Sequence, residues 1–511
     1  MWQRAPLRGP GALVASMCLL GLATWTPAHA QTGSLVLAGR IRDASNAPVA
    51  GAVVTARDTT TGFRQSAISS GSGAYRIESL PAGRYDVTAE RSGYGTGLSS
   101  GVAVRETDSV TVDFTLKPVG EGPTQEISVE AIPAKPQLRG EIYGFAMLDM
   151  GYDFKQTNPD WFDVIRTTKL PSFENEFGQD GNFYAGVRQS RLGVKGFIPT
   201  GLGEIKTIFE FELFGTGVDA GQTTFRLRHA WAELGEFGAG QSWSPFMDPD
   251  VFPNSIEYWG PPGMAFFRNV QARWMPLQGD NELWIALERP GASADQGRFA
   301  DRIELQNIKG HFPAPDLSFH YKRKGDWGHV QLAGILRYIS WTDTLQDEFD
   351  LSGHATGWGV NLSTNVKVTK TGTVRASVVY GEGIENYMND APVDIGIAPH
   401  FGNPRRPIVG EPLPLLGIVA FYDFNWNEQF STALGYSLID IDNTLGQEPS
   451  AFKKGQYALV NLLYYPVKNA MTGFEFQWGR RENFSDGFAV DDYRIQFSAR
   501  YNFNFALGGK P

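Results

Sequence analysis

The chain has 511 residues, with 45 lysine and arginine and 55 aspartate and glutamate side chains, so its formal charge is −10. This acidic balance excludes nucleic acid as the main partner, because phosphate binding needs a basic surface. The single cysteine, Cys18, excludes cysteine-based zinc sites, iron–sulfur clusters and a disulfide framework. No long apolar run is present, which excludes membrane-spanning helices. It does not exclude membrane-spanning strands, since these are apolar only at every second residue.

Residues 1–30 have the three parts of a secretory signal peptide. Arg4 and Arg8 form a basic start, residues 12–23 are mainly apolar, and small alanines flank His29 at the end. We expect cleavage after Ala30, which removes two arginines and no acid and leaves an exported chain without cysteine. The alternative is a buried N-terminal helix.

Residues 34–117 consist of short β runs separated by glycine, proline and serine. About one turn in every ten residues is typical of a small β-sandwich. The predicted strands are Leu35–Asp43, Ala52–Asp58, Tyr75–Leu80, Tyr85–Glu90 and Val110–Leu116. Residues 118–138 contain four prolines and three glutamates, and we predict that they form an extended linker.

From Arg139 to Phe505 the dominant pattern is an alternation with period two, which is typical of strands. In the last segment, the odd positions 493–505 are apolar or aromatic and the even positions 494–504 are polar. One face of this segment suits lipid and the other suits water. We predict sixteen such strands, beginning near Gly140, Asn182, Glu204, Thr223, Phe237, Arg268, Glu282, Asp316, Gly328, Gly353, Thr373, Leu413, Gln429, Gly455, Met471 and Ala489.

The connectors between these segments alternate between tight turns and longer loops, as in an outer-membrane barrel. The longest predicted loops are 154–181, 244–267, 290–314 and 383–412. The fold class is therefore predicted to be all-β, a sixteen-stranded antiparallel transmembrane β-barrel after a small β-sandwich. Barrels of about 16–18 strands enclose an aqueous channel. An even strand number puts both barrel ends on the short-turn, periplasmic side, where the N-terminal domain is then expected.

Three motifs of the N-terminal region resemble the carboxypeptidase regulatory-like domain, a transthyretin-like sandwich. They are Gly39-x-Ile41-x-Asp43, Ala47-Pro48-Val49-x-Gly51-Ala52-x-Val54 and Gly73-x-Tyr75-x-Ile77-x-x-Leu80-Pro81-x-Gly83-x-Tyr85-x-Val87. The resemblance covers the whole of residues 34–117. It implies a fold and not an enzyme, because such domains are usually non-catalytic attachments.

Two stretches of the barrel region resemble known porins. Residues 190–196 resemble the pore-wall signature of general trimeric porins, which implies that Arg191 and Lys195 point into the pore. Residues 216–267 resemble the DcaP family of trimeric outer-membrane porins, through the stretches 216–230, 238–247 and 251–255. This resemblance is strong over 182–290, looser up to 505, and does not extend to 34–117. It implies a homotrimer that passes small anions, dicarboxylates among them.

Strand phase predicts further charged side chains that line the pore. They are Glu210 and Glu212 on the third strand, Arg226 and Arg228 on the fourth, Arg273 on the sixth, and Arg494 and Arg500 on the last. On the fourth strand this phase requires Phe225, Leu227 and Trp231 to face outward. Arg188 is out of phase with Arg191, which indicates a β-bulge or a subunit contact. The arginines either form a ladder that favours anions or are neutralised by salt bridges to the two glutamates.

The loop 244–267 carries Asp248, Asp250 and Glu257 among five prolines and six aromatic residues. One interpretation folds this loop into the barrel as a constriction, with its acids opposite the arginines and a transverse field between them. The alternative is a solvated surface loop. The aromatic residues favour packing inside the barrel.

The remaining motifs indicate neither a cofactor nor an enzyme. The seven histidines show no paired metal-ligand spacing, and Gly240-Gln241-Ser242-Trp243-Ser244 lacks the last glycine of a nucleophile elbow. We therefore predict no cofactor, no metal site, and an outer-membrane porin for passive, anion-preferring diffusion, surrounded by outer-membrane lipid and lipopolysaccharide. The alternatives are a TonB-dependent receptor, which needs a plug and about 22 strands, and a structural or adhesin barrel.

Overall fold

The computed structural model describes residues 35–104, 110–118 and 138–508. Contacts divide the chain into two units, one up to Lys135 and one from Pro136 onward. The predicted signal peptide and residues 119–137 of the predicted linker lie outside the described residues. No helix in the described part of the chain is long and apolar enough to cross a membrane.

The first unit is a β-sandwich, as the sequence predicts. Its strands are β1 (Leu35–Asp43), β2 (Val53–Asp58), β3 (Arg64–Ile68), β4 (Ala74–Leu80), β5 (Gly83–Glu90), β6 (Gly97–Val104), β7 (Val110–Thr111) and β8 (Phe114–Leu116). One sheet has the order β4-β1-β7, with β8 also paired to β1, and the other has the order β3-β2-β5-β6. Strands β3 and β6 were not predicted, because their polar and small residues have low strand propensity.

A single apolar core stabilises the sandwich. Alternate residues of the strands are buried, as in β2, where Val54 and Ala56 are both fully buried. The Tyr75 hydroxyl lies in this core and donates to the Val112 carbonyl at 2.6 Å. Tyr85 Oη likewise donates to the Pro81 carbonyl at 2.7 Å. Both tyrosines therefore bury their rings without leaving a polar atom unpaired.

The second unit is a closed β-barrel. Its wall strands are β9 (Arg139–Asp153), β10 (Asn182–Gly186), β11 (Arg191–Thr200), β12 (Gly203–Phe214), β13 (Thr223–Leu234), β14 (Phe237–Trp243), β15 (Arg268–Leu277), β16 (Asn281–Glu288), β17 (Ile308–His311), β18 (Asp316–Gly325), β19 (Gly328–Asp343), β20 (Gly353–Lys367), β21 (Gly372–Glu382), β24 (Pro414–Asn425), β25 (Phe430–Ile441), β26 (Phe452–Tyr464), β27 (Ala470–Asn483) and β28 (Ala489–Gly508). The loop between β21 and β24 contains a separate hairpin of β22 (Ile395–Pro399) and β23 (Ile408–Pro412).

These eighteen segments form sixteen strands, because two strands are interrupted. β10 and β11 both pair with β9, and β17 and β18 both pair with β19. The predicted sixteen-stranded antiparallel barrel is thus confirmed. The helical segments are short and lie in loops: Pro159–Trp161, Thr167–Lys169, Gly217–Asp219, Pro249–Val251, Gly297–Phe299 and Glu385–Tyr387 are 3-10 turns, and α1 is Ile303–Gln306.

The barrel wall has an apolar outer face and a polar inner face. Along β28, Tyr493 and Ile495 are exposed, whereas Arg494, Gln496 and Ser498 are buried on the other face. The same alternation gives exposed Leu332 and Leu336 on β19 between buried inward residues. Exposed leucine and isoleucine side chains on the outer face suit contact with lipid.

The interruption in the second strand explains the phase of Arg188. Residues 187–190 separate β10 from β11, so the strand resumes with its faces exchanged. The Arg188 side chain is 2% exposed and its Nη1 lies 2.5 Å from Asp163 Oδ1. Its Nη2 donates to the Gly215 carbonyl at 3.0 Å. The explanation is a break in the strand and contacts within the chain; a subunit contact is not needed.

A β-bulge on β13 reverses the side-chain direction that the alternation predicts for Trp231. The register against β12 pairs Glu210 with His229 and Phe211 with Leu227, so Arg228 is the extra residue. A bulge exchanges the faces of the strand beyond it. Trp231, which the alternation placed on the outer face, is therefore buried on the inner side, with the Arg273 guanidinium 4.7 Å from its ring centroid.

A buried ion pair joins the last strand to the first. Arg494 on β28 contacts both carboxylate oxygens of Asp153 on β9, at 2.8 and 2.7 Å. The two side chains are 1% and 0% exposed. The Arg494 guanidinium also donates to the carbonyls of Phe162 and Val164, each at 3.1 Å, in the loop after β9. This pair holds the barrel seam and the first long loop together.

We predict that Asp153→Asn destabilises the folded barrel by about 3–5 kcal/mol, because it leaves a buried guanidinium uncompensated. The measurement is the temperature at which the folded band on a detergent gel converts to the unfolded band. Arg406→Ala, which removes an exposed loop ion pair with Asp350, is the control and should leave this temperature unchanged. Equal conversion temperatures for Asp153→Asn and the unmodified chain would contradict the role of the seam pair.

Candidate functional site

The loop 244–267 lies inside the barrel and crosses it. The Phe246 carbonyl accepts from Asn361 Nδ2 on β20 at 2.9 Å. Farther along, the Gly263 N–H donates to Ser437 Oγ on β25 at 3.0 Å, and the Ser255 hydroxyl donates to Glu475 on β27 at 2.9 Å. These hydrogen bonds join the loop to inner-face side chains of β20, β25 and β27. The loop therefore forms a partition inside the barrel.

A cavity of about 610 Å³ lies between this loop and the wall of β9, β11, β13 and β28. Its charged lining consists of Arg191, Arg226, Arg228, Arg268, Arg500 and Glu257. Aromatic side chains cover much of the remaining lining, namely Phe145, Trp243, Phe252, Tyr258, Trp259, Phe266 and Phe267. The site is therefore a basic cavity with apolar walls, and we call it the basic cavity.

Two glutamates behind the lining hold the arginines in place. Arg228 donates to Glu210 at 2.7 Å and to Glu212 at 2.6 Å, and is itself nearly buried. Arg226 Nη1 and Arg268 Nη2 each lie 3.6 Å from Glu212 Oε1. Arg191 Nη2 lies 3.5 Å from Glu212 Oε2. Four guanidinium groups thus surround two carboxylates, and the Tyr143 hydroxyl donates to Glu210 at 2.6 Å.

The charge of the basic cavity is positive in spite of these ion pairs. Five arginines line it, and the two glutamates behind them can neutralise only two of those charges. Glu257 is the remaining acid, and its burial raises the pKa of the carboxyl to about 8. The Ile165 N–H donates to this carboxyl at 3.3 Å. Because the pKa of Glu257 lies above 7, its carboxyl is mainly neutral at pH 7, and about three of the five arginine charges stay uncompensated.

Several guanidinium N–H groups of the basic cavity have no hydrogen-bond partner among the described residues. They are Arg191 Nε, Arg268 Nη1 and Arg500 Nε, and all three atoms are buried. Arg191 and Arg500 also face the Phe145 ring, at 5.2 and 5.5 Å from its centroid. Buried donors without acceptors are costly, and the positive charge of these three guanidinium groups still acts on an anion that enters the cavity.

Three of the predicted pore-lining cations lie elsewhere. Arg494 forms the buried ion pair with Asp153 at the barrel seam. Arg273 is 5% exposed and stacks between Trp231 and Trp284, with its guanidinium 4.7 and 4.3 Å from their ring centroids. Lys195 faces inward, but it lies beside Glu141 at 3.6 Å and does not line the basic cavity. Strand phase placed these side chains on the inner face correctly but could not show what covers them.

The loop acids do not form the predicted field across the pore. Asp248 is 1% exposed and faces away from the arginines, with Lys322 Nζ at 2.9 Å and His329 Nε2 at 2.7 Å. Asp250 is half-exposed and contacts the same lysine at 3.1 Å. The expectation that Asp248 and Asp250 oppose the arginine wall is therefore wrong. Of the three predicted acids, only Glu257 reaches the basic cavity.

The aspartate pair and His329 are the one group of side chains, within the described ranges, that is spaced to share a metal ion. Lys322 already contacts both carboxylates. An ammonium in this position repels a cation, so we assign no metal to the group.

Arg268, which lines the basic cavity at the start of β15, was not among the predicted pore-lining residues. The alternation that assigns Arg273 to the inner face puts Arg268, five residues earlier, on the outer face. The structure places the Arg268 guanidinium 5.0 Å from the Trp243 ring centroid and beside Glu212. Its position directly after the inward loop was the available signal, because a strand end next to a loop need not keep the strand phase.

Three inward loops meet beside the basic cavity. The Arg166 guanidinium lies between the rings of Trp161 and Trp259, at 4.2 and 4.0 Å from their centroids. It also contacts Asp390 of the loop between β21 and β24 at 2.9 Å. The Trp259 indole N–H donates to the Asn389 carbonyl at 2.9 Å. The loops after β9, β14 and β21 are thereby fixed to one another inside the barrel.

Comparison with known proteins identifies the family. The profile of the DcaP outer membrane protein family matches residues 126–503. The carboxypeptidase regulatory-like domain matches residues 36–117. A search of curated protein sequences gives no match.

The solved structures to which the chain is similar are distant from it in sequence. The outer membrane channel DcaP of Acinetobacter baumannii is 21% identical with a TM-score of 0.59, over 73% of this chain and all of that chain. An anion-selective porin from Comamonas acidovorans is 11% identical with a TM-score of 0.47, over 72% of this chain and all of that chain. The trimer form of OmpT from Vibrio cholerae is 12% identical with a TM-score of 0.43, over 72% and 100% of the two chains.

The family match covers most of the chain, and the A. baumannii structure has the same barrel fold. The resemblance deduced from the sequence motifs is thus confirmed. The chain belongs to the DcaP outer membrane protein family and is an outer-membrane porin that carries an N-terminal carboxypeptidase regulatory-like domain.

Proposed function

We propose that this porin gives passive, anion-preferring diffusion of small solutes and that the basic cavity sets the preference. The observation that carries the proposal is the excess of arginine over ionised acid in that cavity. A positive charge about 7 Å from an anion contributes roughly 0.6 kcal/mol in bulk water and about 2 kcal/mol at an effective dielectric near 20. A few such charges attract anions without preventing their release, and conduction needs both properties.

The acidic charge of the whole chain does not oppose this preference. Charges on the sandwich and on outer loops are separated from a permeating ion by more than the Debye length of about 8–10 Å and are screened by salt. Charges in a narrow, partly apolar site act at short range and with little intervening water. The arginines of the cavity therefore outweigh the overall charge of −10.

Small dicarboxylates are the proposed cargo. Their support is the family resemblance and the guanidinium groups of Arg191, Arg226 and Arg268, which line the cavity from three different strands. Guanidinium and carboxylate groups match each other in bidentate hydrogen bonds. The proposal assigns the chain no enzymatic activity, because passive conduction requires binding and release only.

We also propose a homotrimer in the bacterial outer membrane, with the N-terminal domain in the periplasm. The short turns at one barrel end support this orientation, since periplasmic turns are the shorter ones in such barrels. The domain boundaries proposed are 1–30 for the signal peptide, 34–117 for the sandwich, 118–138 for the linker and 139–505 for the barrel. The barrel has sixteen strands, whereas a TonB-dependent receptor needs about 22.

The decisive experiment replaces two arginines of the cavity, Arg191 and Arg226, whose side chains are 25% and 31% exposed. We expect the double variant Arg191→Gln, Arg226→Gln to move the zero-current potential in a potassium chloride gradient toward cations. The anion-to-cation permeability ratio should fall at least about threefold per charge removed. Lys195→Gln, on the inner face but outside the basic cavity, is the matched control and should change the ratio less. An unchanged ratio in the double variant contradicts the proposal, and potassium succinate in place of chloride tests the cargo.

The titration of the Glu257 carboxyl should make the anion preference of the channel depend on pH. Its carboxyl is neutral below a pKa of about 8 and gains a negative charge above it. We expect the anion preference of the unmodified channel to decrease between pH 7 and pH 9.5. Glu257→Gln keeps a neutral side chain, so its zero-current potential should match the unmodified channel at pH 7 and stay constant up to pH 9.5. Identical pH profiles for both proteins would rule out Glu257 as the titrating group.

The sandwich is expected to be dispensable for conduction. All residues of its apolar core belong to the sandwich itself, and all residues that line the basic cavity belong to the second unit. Deletion of residues 34–117 with retention of the signal peptide should therefore leave single-channel conductance nearly unchanged. Loss of conductance in a deletion variant that still folds into a heat-modifiable barrel would show that the sandwich gates the pore.

A further inference from the structure

A second cavity, of about 440 Å³, lies among the long loops at one end of the barrel. It is enclosed by the loop after β16 (289–307), by β17, by the last residues of β19 and by the β22–β23 hairpin. The cavity shares no lining residue with the basic cavity. We call it the apolar cavity, because its walls carry mainly aliphatic and aromatic side chains, among them Ile308, Phe312, Trp341, Ile395, Ile408 and Val409.

The polar side chains around the apolar cavity are already hydrogen-bonded within the chain. The Asp295 carboxylate accepts from the Gly297 N–H at 2.8 Å and from Gln447 Nε2 at 3.0 Å. The Trp341 indole N–H donates to the Leu351 carbonyl at 2.8 Å. The other polar side chains of the lining also donate to groups of the chain, and they are Ser293, Gln296 and Ser340. Water inside the cavity therefore finds few partners, and a polar ligand finds little to bind.

Two small apolar clusters border the cavity and are incompletely covered. Phe312 and Trp341 are half-buried at the edge of one cluster. Ile308 and Ile408 are half-buried at the edge of the other, which contains Leu305. All five residues line the cavity, so the cavity lies where the two clusters face each other. Because the removal of apolar side chains from water is favourable, an apolar molecule at this position would join the two clusters into one core.

The apolar cavity lies beyond the membrane-facing part of the wall. Trp358 on β20 and Tyr380 on β21 lie on the outer face, with ring centroids 6.0 Å apart. Trp358 is paired with Leu336 on β19, whereas the cavity is lined by residues 339–341, nearer the loop end of that strand. Aromatic belts mark the boundary between hydrocarbon and headgroups. The cavity is therefore outside the hydrocarbon layer, and a ligand reaches it from the aqueous side.

We propose that the apolar cavity binds a small, uncharged apolar molecule from the aqueous phase, of the size of one or two hydrocarbon rings. An apolar cavity of about 150 Å³ is enough to bind benzene, so about 440 Å³ leaves room for a bicyclic compound. Asp295 is the one charged side chain among the described lining residues, and its carboxylate repels an anion. The site thus takes a class of molecule that the basic cavity does not favour, and it is independent of the proposed anion preference.

The test locates a neutral photoprobe on the full chain. The protein in lipid nanodiscs is irradiated with a phenyl diazirine, an uncharged single-ring compound, and the labelled residues are identified by mass spectrometry. We expect saturable labelling of the segments 292–312 and 395–410, which line the cavity. Excess naphthalene should lower this labelling at least about threefold by mass action. The lipid-facing residues of β28 report labelling from the bilayer, which should not saturate.

Two variants change the cavity without touching the basic cavity. Val409→Trp fills part of the space, and Ile308→Asp adds a charge to the wall. Each should lower the labelling of the two segments at least about threefold, because the probe loses room or apolar contact. Val218→Trp is the matched control and should leave the labelling unchanged, since Val218 is 97% exposed on another loop. Single-channel conductance on the same samples shows that the barrel is intact.

Several outcomes would overturn the proposal. Equal labelling of the unmodified protein and both cavity variants is one, and labelling that fails to saturate, as on β28, is another, because it assigns the probe to the bilayer. Competition by naphthoate or naphthylmethylammonium as strong as that by naphthalene would show that the ligand need not be uncharged. Unlabelled segments together with a changed oligomeric state of Val409→Trp would assign the cavity to a subunit contact. If both variants fail to fold, the competition series on the unmodified protein decides.

Discussion

In a bilayer no water is available to satisfy the N–H and C=O groups at the edge of a sheet, so the barrel depends on the pairing of β28 with β9. That pairing turns an open sheet into a wall with two distinct faces. It also brings Arg494 against Asp153, so that the seam is held by a buried ion pair as well as by backbone hydrogen bonds. Once the wall is closed, every second side chain faces an enclosed space, and the inward loops have a polar surface on which to pack.

Inside the wall, the buried carboxylates determine where positive charge stays available. Glu212 lies among Arg191, Arg226, Arg228 and Arg268 and positions them without neutralising them all. Asp248 instead neutralises Lys322 on the other side of the partition loop. The loop therefore separates Lys322, whose charge is matched by Asp248, from the arginines of the basic cavity, which are in excess over their glutamates. This asymmetry is the physical basis of the proposed selectivity.

The period-two pattern predicted the strands well, because each barrel strand is half lipid-facing and half lumen-facing. On β28, for example, the sequence shows the lipid-facing side in Ile495 and Phe497. It shows the lumen-facing side in Arg494 and Gln496. The same pattern failed at Trp231, where a one-residue bulge at Arg228 exchanges the faces. A bulge depends on the partner strand, and periodicity along one strand does not show it.

The site itself was predictable only in part. Arg191, Arg226 and Arg228 come together as expected, but strand phase could not show that Arg273 and Arg494 are covered by aromatic rings and loops. The position of Arg268 depends on where the loop 244–267 enters the barrel, which is a tertiary property. Likewise, Asp248 faces Lys322 because the loop crosses the lumen, and no local pattern fixes that path.

The proposed anion preference requires that the short-range charge of the basic cavity outweighs the acidic charge of the whole chain. It is tested by the zero-current potential of the unmodified protein in a planar bilayer under a potassium chloride gradient at pH 7. We expect a potential with the sign of chloride permeation. A potential with the sign of potassium permeation would contradict it.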